Sequence, residues 1–197
     1  MFLFFDTETT GLPKNWKAPI NQLSNWPRLV QIAWISTDEE AHELECFDSI
    51  IKPEGFKIPE EVSKIHGITT DYALEVGQPL TDILIKFSNT AKKNDFLVAH
   101  NLSFDEKIIG AEFLRAKLQC NLSKKTKICT KQSSTNFCKI PGNYGYKWPT
   151  LSELYKILFN KTFAEAHNAV ADVEACMKCF FELKAKNIIK PAKTNKL

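Results

Sequence analysis

The sequence predicts an α/β protein of one domain, or at most two. Along the 197 residues, apolar runs rich in β-formers alternate with segments whose apolar residues recur at helical spacing. The composition, 44% hydrophobic and 25% charged, is ordinary for a globular protein, and the length suffices for a sizeable core.

Five apolar runs predict strands, each bounded by turn residues or by the start of a helix. In chain order they are a run that begins at Phe2, then Leu29–Thr37, Leu44–Lys52, Phe96–Ala99 and Thr126–Thr130. The second and third are expected to pair as a hairpin across the acidic turn Asp38–Glu40.

The predicted helices lie between and after these strands. They are Glu60–Ile65 with a stop at Gly67, Leu80–Lys93, a helix that follows a cap at Asn101 or Ser103, a helix-like piece over Lys131–Phe137, a helix from the capping box Thr150–Glu153 to Leu158, and Asn168–Lys184. Residues 1–184 are therefore expected to form the domain, and the basic residues 185–197 a flexible tail.

The connection Gly11–Pro27 carries three prolines and several asparagines, which predicts a long loop. Trp16 and Trp26 lie in it. The favoured interpretation is that they pin the loop onto the domain, and the alternative is a stacking surface for nucleic-acid bases.

The net charge and the lengths of the apolar runs limit the partners and the compartment that are expected for this protein. The formal net charge of +3 permits a nucleic-acid partner without requiring one. No apolar run approaches a membrane span, and Met1–Phe5 is too short for a secretory signal, so a cytoplasmic protein with no membrane partner is expected. The six cysteines then fit reduced thiols, and Cys176 and Cys179 lack a second pair at zinc-site spacing.

Asp6 and Glu8 follow the first apolar run, one residue apart. Side chains alternate along a strand, so these two carboxylates point to the same face and repel each other. Either the strand end is solvated, or a hard divalent cation lies between them, and this stretch alone supports both interpretations equally.

Further residues of the kinds that bind metal ions lie at the ends of other predicted strands and helices. Asp105 comes after the fourth strand, at a helix start where an acid is also common for dipole reasons, and His167 and Asp172 flank the start of the last helix. Such element ends meet at the sites of open α/β sheets. Four carboxylates suit two divalent cations, which can bind the attacking and leaving oxygens of a phosphodiester while a histidine takes a proton.

Three motifs carry a resemblance to a known family. They read D-T-E-T-T-G-L at Asp6–Leu12, H-N-L-S-F-D at His100–Asp105 and H-N-A-V-A-D at His167–Asp172, and H-G-I-T occurs at His66–Thr69. In this order they resemble the DnaQ-like 3′–5′ exonucleases, the DEDDh group, and within it the proofreading subunits of the DNA polymerase III epsilon type.

The resemblance implies an RNase H-like fold, with a mixed five-stranded sheet flanked by helices. It implies two Mg²⁺ or Mn²⁺ ions and release of nucleoside 5′-monophosphates from the 3′ end of DNA, in proofreading or repair, with a DNA polymerase as a candidate partner. The implied metal ligands are Asp6, Glu8, Asp105 and Asp172. His167 is the implied general base.

The same resemblance implies nucleotide contacts for Thr9, Leu12, His66 and Phe104. Core packing explains Leu12 and Phe104 equally well, and a helix-end hydrogen bond is the alternative for His66. Two further functions stay open: an RNA-trimming exonuclease of the same family, and a non-catalytic module that binds nucleic acid or a polymerase.

Overall fold

The computed structural model describes residues 1–120, 122–163 and 168–192. Its strands are β1 (Phe2–Thr9), β2 (Leu29–Thr37), β3 (Glu43–Ile50), β4 (Phe96–Ala99), β5 (Thr126–Cys129), β6 (Pro141–Gly142) and β7 (Gly145–Tyr146). Its helices are α1 (Glu60–His66), α2 (Thr70–Val76), α3 (Leu80–Lys93), α4 (Leu102–Arg115), α5 (Thr130–Ser133), α6 (Thr135–Cys138), α7 (Leu151–Phe159) and α8 (Ala169–Ala185).

The main sheet has five strands in the order β3-β2-β1-β4-β5. β1 pairs antiparallel with β2 and parallel with β4, β2 and β3 form the expected antiparallel pair, and β5 continues the parallel side. The predicted mixed five-stranded sheet is confirmed, and β1 is its central strand. The sequence patterns missed the short helix α2 and the small hairpin β6–β7.

The two faces of β1 pack against different helices. Leu3 and Phe5 belong to a core that includes residues of α3 and α4, whereas Phe2 and Phe4 belong to a second core built with α7 and α8. Because the side chains alternate, the even positions that follow Phe4 point towards α8 and the odd ones towards α4. This alternation determines which helix each polar side chain at the end of β1 faces.

The helix ends follow the predicted capping chemistry in two places and depart from it in one. Gly67 ends α1 with φ 77°, and Thr150 and Glu153 form the capping box of α7. The Asn168 side chain, which was not predicted as a cap, accepts the N–H of Val170 at the start of α8. The expected side-chain cap from Asn101 is wrong: this residue precedes α4 in the left-handed region, at φ 85°, and its side chain makes no capping hydrogen bond.

The long loop Gly11–Pro27 is fastened to α4 by a buried ionic network. Glu112 is fully buried, and its Oε1 accepts hydrogen bonds from Arg28 Nε at 2.9 Å and Arg115 at 2.8 Å. Arg115 also donates to the backbone carbonyls of Leu23 and Trp26, each at 2.7 Å. One carboxylate thus bridges two guanidinium groups that hold the end of the loop.

The interior of the loop is equally ordered by local contacts. Trp26 is 3% exposed and donates from Nε1 to the Pro19 carbonyl, which confirms that it pins the loop. The Asn25 side chain pairs with the backbone of Asn15. Its Oδ1 accepts the Asn15 N–H, and its Nδ2 donates to the Asn15 carbonyl. Trp16 differs, because it is 49% exposed.

Two other features of the chain bear on the expectations. Cys176 and Cys179 are buried free thiols in α8. None of the helices within residues 1–120, 122–163 and 168–192 has both the length and the apolar character that a membrane crossing requires. After α8, Ile189 is buried against the second core, whereas residues 193–197 of the expected tail lie outside the described part of the chain.

We expect Glu112→Ala to destabilise the protein by about 3 kcal/mol, because it leaves two guanidinium groups without their buried partner. Urea unfolding measures the loss, and limited trypsin digestion should cut faster after the exposed Lys14 and Lys17 of the loop. Glu174→Ala is the matched control: it removes an exposed carboxylate paired with Lys178 and should cost less than about 1 kcal/mol. Equal losses in both variants would contradict the role of the network.

Candidate active site

Three carboxylates meet at the end of β1. One oxygen from each of Asp6, Glu8 and Asp172 lies within 4.8 Å of the other two. Asp6 and Glu8 lie on the face of β1 that points towards α8, as the alternation of side chains predicted. Asp172 comes from the first turn of α8. Residues that are far apart in sequence therefore form one acidic cluster, which we call the acid cluster.

The start of α8 is rigidly anchored. Asn168 caps it through Oδ1, and the Asp172 N–H donates to the Asn168 carbonyl at 2.9 Å. Val173 and Cys176, directly after Asp172 and one turn later, are buried in the core shared with Phe4. The packing of Val173 and Cys176 and the cap from Asn168 together fix the direction in which the Asp172 carboxylate points.

Asp105 reaches the same strand end from the other face. It lies in the first turn of α4, is 2% exposed, and accepts a hydrogen bond from the Thr7 hydroxyl at 2.7 Å. Thr7 stands between Asp6 and Glu8 on β1 and points towards α4. Among the described residues, the acid cluster therefore has three members, and Asp105 is a close electrostatic neighbour held beside it by Thr7.

Burial and mutual repulsion oppose ionisation of these acids. Burial, followed by the charges of Asp105, Asp172 and Glu8, raises the pKa of Asp6 well above its usual range. Burial and the charge of Asp172 raise the pKa of Glu8 to about 8. Burial also raises the pKa of Asp105 to about 7, against the opposing hydrogen bond from Thr7. Within the described chain, no lysine or arginine forms an ion pair with Asp6 or Glu8.

This donor set fits a divalent cation. Carboxylate oxygens are the preferred ligands of hard divalent ions, and three of them converge here within 4.8 Å of one another. A bound cation would offset the repulsion that, after burial, raises the pKa of Asp6 and Glu8. The residues that would hold it are those of the acid cluster, with Asp105 at its margin.

The residues predicted to contact the nucleotide differ in their exposure to solvent. Leu12 is 73% exposed, so core packing does not explain it, and Phe104 is partly buried against the core. Thr9 is 7% exposed, and its hydroxyl donates to the Gly11 carbonyl at 2.7 Å, which closes the turn after β1.

The histidines take distinct positions. His66 Nδ1 accepts the Ile68 N–H at 3.1 Å, which places the proton of the neutral ring on Nε2. Among the described residues, that Nε2 has no hydrogen-bond partner. Burial lowers the pKa of His66, and the backbone at Thr9 opposes this shift. His167 lies outside the described residues.

Two residues near the site were missed or left without a role by the sequence patterns. Thr7 carries the hydroxyl that binds Asp105, and its place between two acids on a strand was the available signal. His100 is a buried bridge: Nδ1 lies 3.0 Å from the Thr130 hydroxyl and Nε2 lies 3.1 Å from the Pro149 carbonyl. Burial lowers its pKa to about 4, so it is neutral and structural.

With this geometry established, the chain can be compared with known proteins. The model of the RNase T family, described as exonuclease, matches residues 3–180. The chain belongs to this exonuclease family. The prediction of a 3′–5′ exonuclease is thereby confirmed at the level of the family.

Curated relatives of this exonuclease agree with the resemblance seen in its motifs. The DNA polymerase III subunit epsilon of Treponema pallidum is 32% identical over 180 residues, which cover 91% of this chain and 74% of that protein. The subunit of the same name from Buchnera aphidicola (subsp. Acyrthosiphon pisum) is 34% identical over 175 residues, covering 86% of this chain and 67% of that protein.

Solved structures share the fold of this exonuclease. E. coli exonuclease I in complex with a dT13 oligonucleotide superposes with a TM-score of 0.75 at 20% identity, over 94% of this chain and 41% of that one. A zinc-bound form of its complex with single-stranded DNA gives a TM-score of 0.74 at 20% identity, over 94% and 40%. The chain thus spans about two fifths of exonuclease I, and the RNase H-like fold is confirmed.

We expect the metal-free exonuclease to lose stability as the pH rises from about 5 to about 8.5. Glu8 has a folded pKa of about 8 against a usual 4.5, and Asp105 about 7 against 3.8, so the folded state holds these protons more tightly. The resulting stabilisation is complete below the usual values and is lost as the pH passes the folded ones. Urea unfolding in a chelator at several pH values measures the slope.

The control for this prediction is Glu8→Gln, which removes one of the repelling charges. It should flatten the pH dependence and raise the free energy of unfolding of the metal-free protein by ~1–3 kcal/mol near pH 8.5. An unchanged slope in this variant would show that Glu8 is not titrating in the folded protein.

Proposed function

We propose that this exonuclease removes nucleoside 5′-monophosphates one at a time from the 3′ end of single-stranded DNA, with two Mg²⁺ or Mn²⁺ ions as cofactors. The observation that carries the proposal is the acid cluster at the end of β1, where one oxygen from each of three carboxylates lies within 4.8 Å of the other two. Membership of the exonuclease family supports the reaction class.

The acids have assigned roles in this proposal. Asp6, Glu8 and Asp172 would hold the cations, and Asp105, which accepts a hydrogen bond from Thr7, would be the fourth ligand. Bound divalent cations supply positive charge that stabilises the phosphoryl oxygens during hydrolysis. The burial of these side chains excludes water from around them and strengthens their electrostatic effect.

His167 is the proposed general base, a role carried over from the third motif. It takes a proton from the attacking water, for which a histidine is suited because its usual pKa lies near neutrality. The five-residue spacing from Asp172 supports a base on the segment before α8 and a ligand within it.

The rim residues are proposed to hold the terminal nucleotides. His66 Nε2 and the backbone near Thr9 offer polar contacts beside the strand end, while Leu12 and Phe104 offer apolar surface to the bases. The neutral His66 ring donates from Nε2, since its Nδ1 is already an acceptor.

DNA as the substrate is supported by the names of the relatives, since the epsilon subunits belong to a DNA polymerase and exonuclease I was crystallised with DNA oligonucleotides. A cytoplasmic proofreading or repair role in contact with a polymerase follows from the same relationship and is part of the proposal. Digestion of matched DNA and RNA oligonucleotides side by side tests it, and faster release from RNA would favour the RNA-trimming alternative.

Single-stranded DNA labelled at its 3′ or 5′ end tests polarity and metal dependence together. We expect release of label as a mononucleotide from the 3′-labelled strand at the first turnover, with Mg²⁺ or Mn²⁺ and not with EDTA. Asp6→Ala should abolish release and keep the protein folded, because it removes a ligand from a strand whose core contacts lie elsewhere. Asp82→Ala, an exposed acid of α3, is the control and should behave as wild type. No release by wild type with either ion would favour a non-catalytic module.

His167→Ala should lower the rate of nucleotide release on the order of 10²–10⁴-fold, the usual contribution of a positioned base. Manganese affinity, measured by calorimetry, should stay close to wild type, because the carboxylates remain. A rate within a few fold of wild type would reject the role of general base.

A further inference from the structure

Trp16 is exposed to solvent, but its backbone is held in place by surrounding contacts. Its ring is 49% exposed, yet the residue belongs to a loop held by the Glu112 network and by the paired side chain and backbone of Asn25 and Asn15. The Trp16 carbonyl accepts a hydrogen bond from Lys107 Nζ at 2.9 Å. A large aromatic side chain is therefore presented to solvent from a rigid backbone.

The Trp16 ring is not what holds the loop. That role belongs to Trp26, which is 3% exposed, and to the backbone contacts of Arg115. Lys107 fastens Trp16 through its main chain, and the same ammonium lies 4.9 Å from the centre of the Trp26 ring. The backbone of Trp16 is thus held by other residues, while its indole contacts Phe104 on one side and is exposed to solvent over about half of its surface.

The Trp16 ring contacts an aromatic residue of α4, the helix that carries Asp105. Its centre lies 5.7 Å from that of Phe104, and the two planes are inclined by 46°. Phe104 directly precedes Asp105 in α4, whose carboxylate is bound by Thr7 of the central strand. The two rings thus form a continuous aromatic surface that joins the loop to the first turn of α4, the turn that also carries Asp105.

The surroundings of Trp16 favour a polyanion. Lys14 and Lys17 are exposed on either side of it, and no acidic residue occurs between Gly11 and Pro27. Cationic side chains beside an exposed aromatic ring are the combination that binds single-stranded nucleic acid, because every base can stack and every nucleotide carries a phosphate.

We propose that Trp16 is a base-stacking residue, which extends the substrate-binding surface from Phe104 to a nucleotide on the 5′ side of the scissile end of single-stranded DNA. This inference rests on the proposed function, since it takes the 3′ end to lie at the acid cluster. The loop then lengthens the DNA footprint by at least one nucleotide. The contact is tolerant of sequence, because the base is held by its face and not by its edge.

Binding of a 5′-fluorescent oligonucleotide whose 3′-terminal linkages are phosphorothioates, followed by anisotropy with Mg²⁺, tests the inference. Trp16→Ala should weaken binding on the order of tenfold, the usual effect of removing one stacking side chain. Trp16→Phe should recover most of the affinity. Ile85→Ala, at a position of equal 49% exposure on α3, is the matched control and should bind as wild type does.

A second measurement locates the stacked base. Single abasic nucleotides are placed in turn at the second, third and fourth positions from the 3′ end. At one of these positions, wild type should lose affinity on the order of tenfold while Trp16→Ala loses little more, because the stack is already absent. Identical abasic penalties in the two proteins at every position, or wild-type affinity in Trp16→Ala, would overturn the inference.

The outcomes separate this inference from the proposed function. If wild type digests single-stranded DNA from its 3′ end and Trp16→Ala binds equally well, only the role of Trp16 is rejected. If wild type neither digests nor binds the oligonucleotide, the proposed function itself is rejected and Trp16 loses its substrate.

Discussion

Repulsion among carboxylates at the end of a buried strand is the constraint on which this structure depends. Phe2 to Phe5 are almost completely excluded from solvent on both faces of the sheet, so the strand cannot move to relieve the charges that follow it. Asp6 and Glu8 are held beside Asp172, and burial together with these charges raises the pKa of both β1 acids. The fold therefore sustains an arrangement that is unfavourable in the absence of a cation and well suited to binding one.

The two-sided packing of β1 explains how distant residues reach one point. Its even positions face α8, which delivers Asp172, and its odd positions face α4, where Thr7 meets Asp105. Each helix begins near the strand end, so its first turn brings an acid to the candidate site. A site assembled from both layers needs both cores to be well packed, which links catalytic geometry directly to the stability of the domain.

The long loop after β1 is ordered by a buried ionic network together with apolar contacts, since Ala18 and Trp26 are buried in the core shared with α3 and α4. Glu112 is fully buried with two arginines, an arrangement that depends on all three charged partners being present. Through these contacts, α4 carries both Asp105 and the support of the loop that bears Trp16.

The sequence by itself determined the α/β class, the five main strands, most of the helices and the shared face of Asp6 and Glu8, because alternation and helical periodicity are local properties of the chain. It also indicated the family, because the motifs of the family are short stretches of sequence that can be identified without a structure. Only the tertiary structure decided that Asp105 approaches from the opposite face and binds Thr7, that Glu112 is the buried partner of Arg28, and that Trp26 is buried while Trp16 is exposed. These outcomes depend on which helix packs on which side of the sheet, and no local pattern in the chain encodes contacts between residues some 80 to 100 positions apart.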